Sequence, residues 1–164
     1  MASKQAIASL SKLFESLTGE SINGYALDVW QRVLDPISDD LLESATLAFL
    51  RKEQRRYAIM PGAIYQSALE LLREASPAPG EAWAMLNAAL EEVDAGEGWG
   101  EFQALPVVIQ TAAKQVGIPG LLGGNHMMAD RARFLQFYEA TVDRQAKAQL
   151  ALPTASQAAI AEGR

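Results

Sequence analysis

The sequence has no cysteine, one histidine and no apolar run of membrane-spanning length. Without cysteine there are no disulfides, thiolate metal sites or cysteine nucleophiles. With His126 alone, no metal site within one chain can use two histidine ligands. Positive charge is also short: 14 basic side chains face 20 acidic ones, for a net charge of -6. Neither half reverses the balance, since residues 1–76 carry 8 basic and 10 acidic groups and residues 77–164 carry 6 and 10. A grip on DNA by counterion release needs a basic face. This composition therefore speaks against nucleic acid as the main partner and leaves room only for a weak local contact.

Aromatics make up 7% of the chain, but with 49% hydrophobic and 21% charged residues the composition is that of a folded domain. The N-terminal "MASKQAIASLSKLFESL" is interrupted by polar residues every few positions, unlike the continuous apolar core of a signal peptide. The expectation is a soluble cytoplasmic protein without a membrane partner.

No segment alternates with period two, so strands are not expected, whereas helical spacing recurs along the chain. Ile7, Leu10, Leu13, Phe14 and Leu17 define a first helix, and Ile22, Tyr25, Val29, Trp30 and Val33 the inward face of a second, with Thr18-Gly19 between them. Asp35-Pro36 ends the second, because a residue before proline is pushed away from helical dihedrals. Ser38 caps a third helix whose first turn holds Asp39 and Asp40, with Leu41, Leu42, Ala45, Ala48 and Phe49 inward. Pro61 suits the first turn of a fourth, with Ile64, Tyr65, Ala68, Leu69 and Leu72 buried. "SPAPG", residues 76–80, marks a boundary between halves. Beyond it, Trp83, Leu86, Leu90 and Val93 define one helix, and Leu105, Val108, Ile109, Ala112 and Val116 another that stops at Gly117. A long last helix starts near Ala129, with Phe134, Leu135, Tyr138 and Val142 on one face. The predicted architecture is an all-α bundle of about seven helices. It comprises an N-terminal bundle (1–76), a C-terminal helical region (80–150) and a disordered tail (151–164).

Chemistry-bearing patterns are sparse. "GIPGLLGGN" has the glycines of a phosphate-binding loop but no lysine and hydroxyl residue after them. Asp35, Asp39, Asp40 and Glu43 lack the calcium-loop spacing, and capping with solvation explains them more simply. Arg51, Lys52, Arg55 and Arg56 form a basic flank that complements a helix C-terminus. A DNA-reading helix after it would offer Arg73 alone against Glu70 and Glu74. Trp30 and Trp83 belong to core faces, while Trp99, in a glycine-rich loop, is either a partner anchor or a lid over the second core.

The stretch "YALDVWQRVLDPISDDLLESATLAFLRKEQRRYAIMPGAIYQSA", residues 25–68, resembles the N-terminal helical domain of phage replicative-helicase loader and inhibitor proteins. "PGEAW" (79–83) and "ARFLQFYEATVDR" (132–144) are similar to segments of phage or prophage proteins carrying such a domain. The resemblance implies a non-enzymatic protein of the host-cell cytoplasm, without cofactor, that binds the hexameric replicative helicase in several copies per ring and loads or inhibits it. In that family the C-terminal region is flexible, whereas here the second half is well patterned. On this reading the contacts are Arg131, Arg133 and Arg144 of the last helix with Trp99, then Arg51, Lys52, Arg55 and Arg56. The alternative function is a DNA-binding or origin-recognition accessory. An enzyme working through Asp39, Asp40 or His126 is the third reading.

Overall fold

The computed structural model describes residues 1–52, 60–96, 98–123 and 127–151. Arg55, Arg56, His126 and the tail from residue 152 lie outside the described residues. Within them the chain is all-α, with α1 (Lys4–Thr18), α2 (Gly24–Leu34), α3 (Asp39–Lys52), α4 (Pro61–Glu74), α5 (Pro79–Asp94), α6 (Gly100–Ala104), α7 (Val107–Val116), α8 (Ile118–Leu122) and α9 (Met127–Gln149). Seven of these have ten or more residues; α6 and α8 are five-residue turns of helix. The described chain divides into two units, Met1–Leu72 with residues 147–151, and Arg73–Ala146.

In the first unit the starts of α1, α2 and α3 are each set by a short polar side chain. Ser3 Oγ accepts the Ala6 N–H at 3.1 Å, Asn23 Oδ1 accepts the Ala26 N–H at 2.9 Å, and Ser38 Oγ accepts the Leu41 N–H at 3.4 Å. Gly19 ends α1 in the left-handed region (φ 75°, ψ 3°), and its N–H donates to the Glu15 carbonyl at 2.8 Å. The core collects Ile7 and Leu10 of α1, Trp30 and Leu34 of α2, Leu42 and Ala45 of α3 and Ile64 and Ala68 of α4. Ile37, in the turn after α2, is buried with them. Phe14 meets Trp30 edge to face, with centroids 5.7 Å apart and planes at 78°.

Two expectations for α2 change. Tyr25 is 81% exposed and Val29 also faces solvent, while Trp30 and Leu34 are buried. The inward stripe runs one position further along, through Trp30 to Leu34, and continues into the buried Ile37 of the following turn. Asp35 also keeps helical dihedrals (φ -48°, ψ -39°) despite preceding a proline. Pro36 stops the helix by lacking an N–H, and the Ile37 N–H turns back to the Leu34 carbonyl at 2.9 Å.

The second unit has its own core of Leu86 and Leu90 from α5, Val108, Ile109 and Ala112 from α7, and Phe134, Tyr138 and Val142 from α9. Phe102 of α6 is buried too. Phe134 stacks on Tyr138 at 5.7 Å and lies 5.4 Å from Trp83. Gly117 closes α7 with φ 103° and ψ 103°, a backbone region that disfavours other residues. α9 begins at Met127, two residues before the expected start.

Leu34→Ala should lower unfolding free energy by about 2 to 5 kcal/mol, the range for a buried leucine whose site relaxes only in part. Tyr25→Ala should change it by no more than about 0.5 kcal/mol. Urea unfolding measures both, and equal losses would place the α2 stripe wrongly.

Candidate functional site

The surfaces available for binding are what remains after each helix has turned one stripe inward. α9 shows this most clearly, since Phe134, Tyr138, Thr141, Val142 and Ala146 are buried along it. Arg131, Arg133 and Arg144 are all exposed. Arg133 and Arg144 stand eleven residues apart, close to three turns at about 3.6 residues per turn, so they share one outer line. Arg131 falls about 160° around the helix from Arg133 and belongs to a different side of the first turn. The three arginines therefore do not form one face.

Phe137, four residues after Arg133, lies on the same outer line and is 37% exposed. The sequence reading of the last helix puts Phe134, Leu135, Tyr138 and Val142 on one face and leaves Phe137 unassigned. The signal was in the spacing: the inward set at 134, 138 and 142 leaves position 137 about 100° off the stripe. The outer line thus combines two permanent cations with an aromatic between them, the residue types enriched at interface anchors.

Trp99 precedes α6, is 43% exposed and meets the buried Phe102 edge to face at 5.6 Å and 87°. It is both a partial lid over the second core and an exposed indole edge. Arg51 and Lys52 occupy the last turn of α3 as expected. Lys52 Nζ, however, pairs with Glu70 Oε2 at 2.7 Å, which offsets its charge towards any partner. Both side chains are well exposed, so the pair adds little stability. Arg73, the one cation that α4 offered to a DNA groove, is paired with Asp143.

A cleft of about 480 Å³ in the second unit runs between the 76–79 segment and α9 and is lined by Ser76, Pro77, Pro79, Tyr138, Val142 and Asp143. Tyr138 O–H donates to the Pro77 carbonyl at 2.6 Å. Pro77 and Pro79 bring no N–H of their own, so the phenol gives this stretch a donor that its backbone lacks. Burial raises the Tyr138 pKa above its ordinary value, and the Glu81 carboxylate adds to the effect. At neutral pH it is a protonated donor engaged in structure, not a base or nucleophile.

Asp39, one of the carboxylates considered for chemistry, accepts the Ser3 N–H on Oδ1 at 2.7 Å, and that hydrogen bond holds its pKa below the usual carboxylate value. It anchors the start of α1 in its charged form. Among the described residues no group of three metal-ligating side chains gathers. No helix among them is long and apolar enough to cross a membrane. No family model, curated protein or solved structure matches the chain.

Tyr138→Phe should cost about 1 kcal/mol at neutral pH through the lost hydrogen bond and the carbonyl left unpaired. Because the folded-state pKa lies above the ordinary 10.0, Tyr138's contribution is whole below pH 10 and is lost as pH rises through the folded value. The stability gap between wild type and variant should therefore narrow above about pH 10. A gap that widens there would contradict the assignment.

Proposed function

We propose that this chain is a non-enzymatic phage or prophage replication protein that binds the hexameric replicative helicase and loads or inhibits it. The observation that carries the reading is the run of residues 25–68. That run holds α2, the Pro36 turn, α3 with its basic end and the Pro61 start of α4. Such a protein acts by differential affinity: it biases the ring towards one state only as far as it binds that state more tightly. A sixfold ring repeats the same site, so several copies bind.

The outer line of α9, Arg133, Phe137 and Arg144, is the contact best supported, with Trp99 and Arg131 as further exposed groups in the same unit. Arg51 and Lys52 come second, because Lys52 is partnered by Glu70. The DNA-accessory reading is weaker on electrostatic grounds. Its two best-placed described cations, Lys52 and Arg73, each face a carboxylate within the fold, and the chain is acidic throughout.

The purified chain should co-migrate with a cognate hexameric helicase on size exclusion at micromolar concentration, and Arg133→Glu with Arg144→Glu should weaken that binding by about tenfold or more. Separate elution would reject the reading. Retention on duplex DNA that falls steeply with salt, without helicase binding, would replace it with the accessory role.

A further inference from the structure

The first unit carries an open groove between α1 and α3, about 460 Å³ in volume. Ala6, Leu10 and Leu13 line one wall at helical spacing, and Asp40, Glu43 and Leu47 line the other. Charge is graded along it. Asp39 and Asp40 lie in the first turn of α3, Glu43 one turn on, and Leu47, 48% exposed, one turn further. No lysine or arginine lines the groove, and Asp40 and Glu43 make no ion pair among the described residues. Asp39 has already taken up the Ser3 N–H. The N-terminal positive charge acts on Asp39, and the positive end of the α3 dipole offsets only about half an elementary charge, so Asp40 and Glu43 leave this end of the groove anionic.

A groove that is apolar at one end and anionic at the other repels phosphate backbones and acidic peptides. Two parallel stripes of helical side chains offer the setting in which a third helix lays its apolar face. We propose that the α1–α3 groove docks an amphipathic helix of a partner protein. Its apolar positions meet the partly exposed Leu13 and the exposed Leu47, and lysine or arginine at one end meets Asp40 and Glu43. The proposal does not rest on the helicase reading.

The test uses the full chain and two labelled amphipathic probe peptides about five turns long. They share a leucine face and carry lysines or glutamates at one end. Fluorescence anisotropy at low salt should show the lysine probe binding at least about tenfold more tightly than the glutamate probe. Asp40→Lys with Glu43→Lys should erase or invert that preference. Leu47→Asp should weaken both probes. All these side chains are exposed, and circular dichroism checks that each variant stays folded. Equal affinity for both probes, or binding indifferent to the groove substitutions, would overturn the proposal. So would concentration-dependent self-association abolished by Leu47→Asp, which would assign the groove to a second copy of the chain.

Discussion

Short helices with no covalent cross-links persist only through what they bury, and every other feature of this chain follows from that constraint. Isolated helices of ten to sixteen residues, the length of most of those found here, are marginal in water, so each must turn an apolar stripe onto its neighbours. The chain answers with two cores rather than one: Leu34, Ile37 and Ile64 are fully enclosed in the first unit, Leu86, Ile109 and Phe134 in the second. Inward stripes are thereby fixed by stability. Binding is left to the outward ones, and α9 shows the division within a single helix, with Phe134 and Tyr138 enclosed and Arg133 and Arg144 in solvent.

The same constraint makes the connections between helices matter. A bundle held only by burial needs its turns pinned, since a loose connection lets a stripe rotate away from its core. Ser3 pins the start of α1 twice, capping Ala6 with its hydroxyl and giving its own N–H to Asp39. Tyr138 does the equivalent in the second unit, for its ring lies in the core while its hydroxyl holds the Pro77 carbonyl. Among the described residues no fully buried side-chain polar atom lacks a partner, as expected when an unpaired buried group would cost a substantial part of a marginal stability.

Much of this was legible in the sequence because helical period and helix punctuation are local signals. The apolar spacing gave the seven longer helices, Gly19 and Gly117 gave two stops, and Ser38 and Pro61 two starts. Asp35 shows the limit of such rules, since its helical dihedrals are kept by the turn that buries Ile37 against the preference of a residue before proline. Tyr25 and Val29 were misplaced because an aromatic and a branched apolar residue fit a helical stripe as well as Trp30 and Leu34 do, and only tertiary packing decides between adjacent stripes. The site was less legible for a related reason. The Lys52–Glu70 and Arg73–Asp143 pairs join residues 18 and 70 positions apart, so no local pattern reveals which cations are already engaged. Phe137 belongs to no apolar stripe of the last helix, and its partial exposure follows only from how α9 packs.

The two outward surfaces differ in sign, and that difference sets what each can recognise. The α9 line presents guanidinium groups around an aromatic; the α1–α3 groove presents carboxylates beside exposed leucine. A partner complementary to one is repelled by the other, and such repulsion contributes to specificity as much as attraction does. Because both surfaces are solvent-exposed, screening with a Debye length of about 8 Å at physiological salt weakens each attraction and each repulsion together. Charge then governs encounter and orientation, while Phe137 on one surface and Leu47 on the other supply the desolvated area that salt does not screen. The sign of each surface and the apolar residue beside it together set the chemistry that each can recognise.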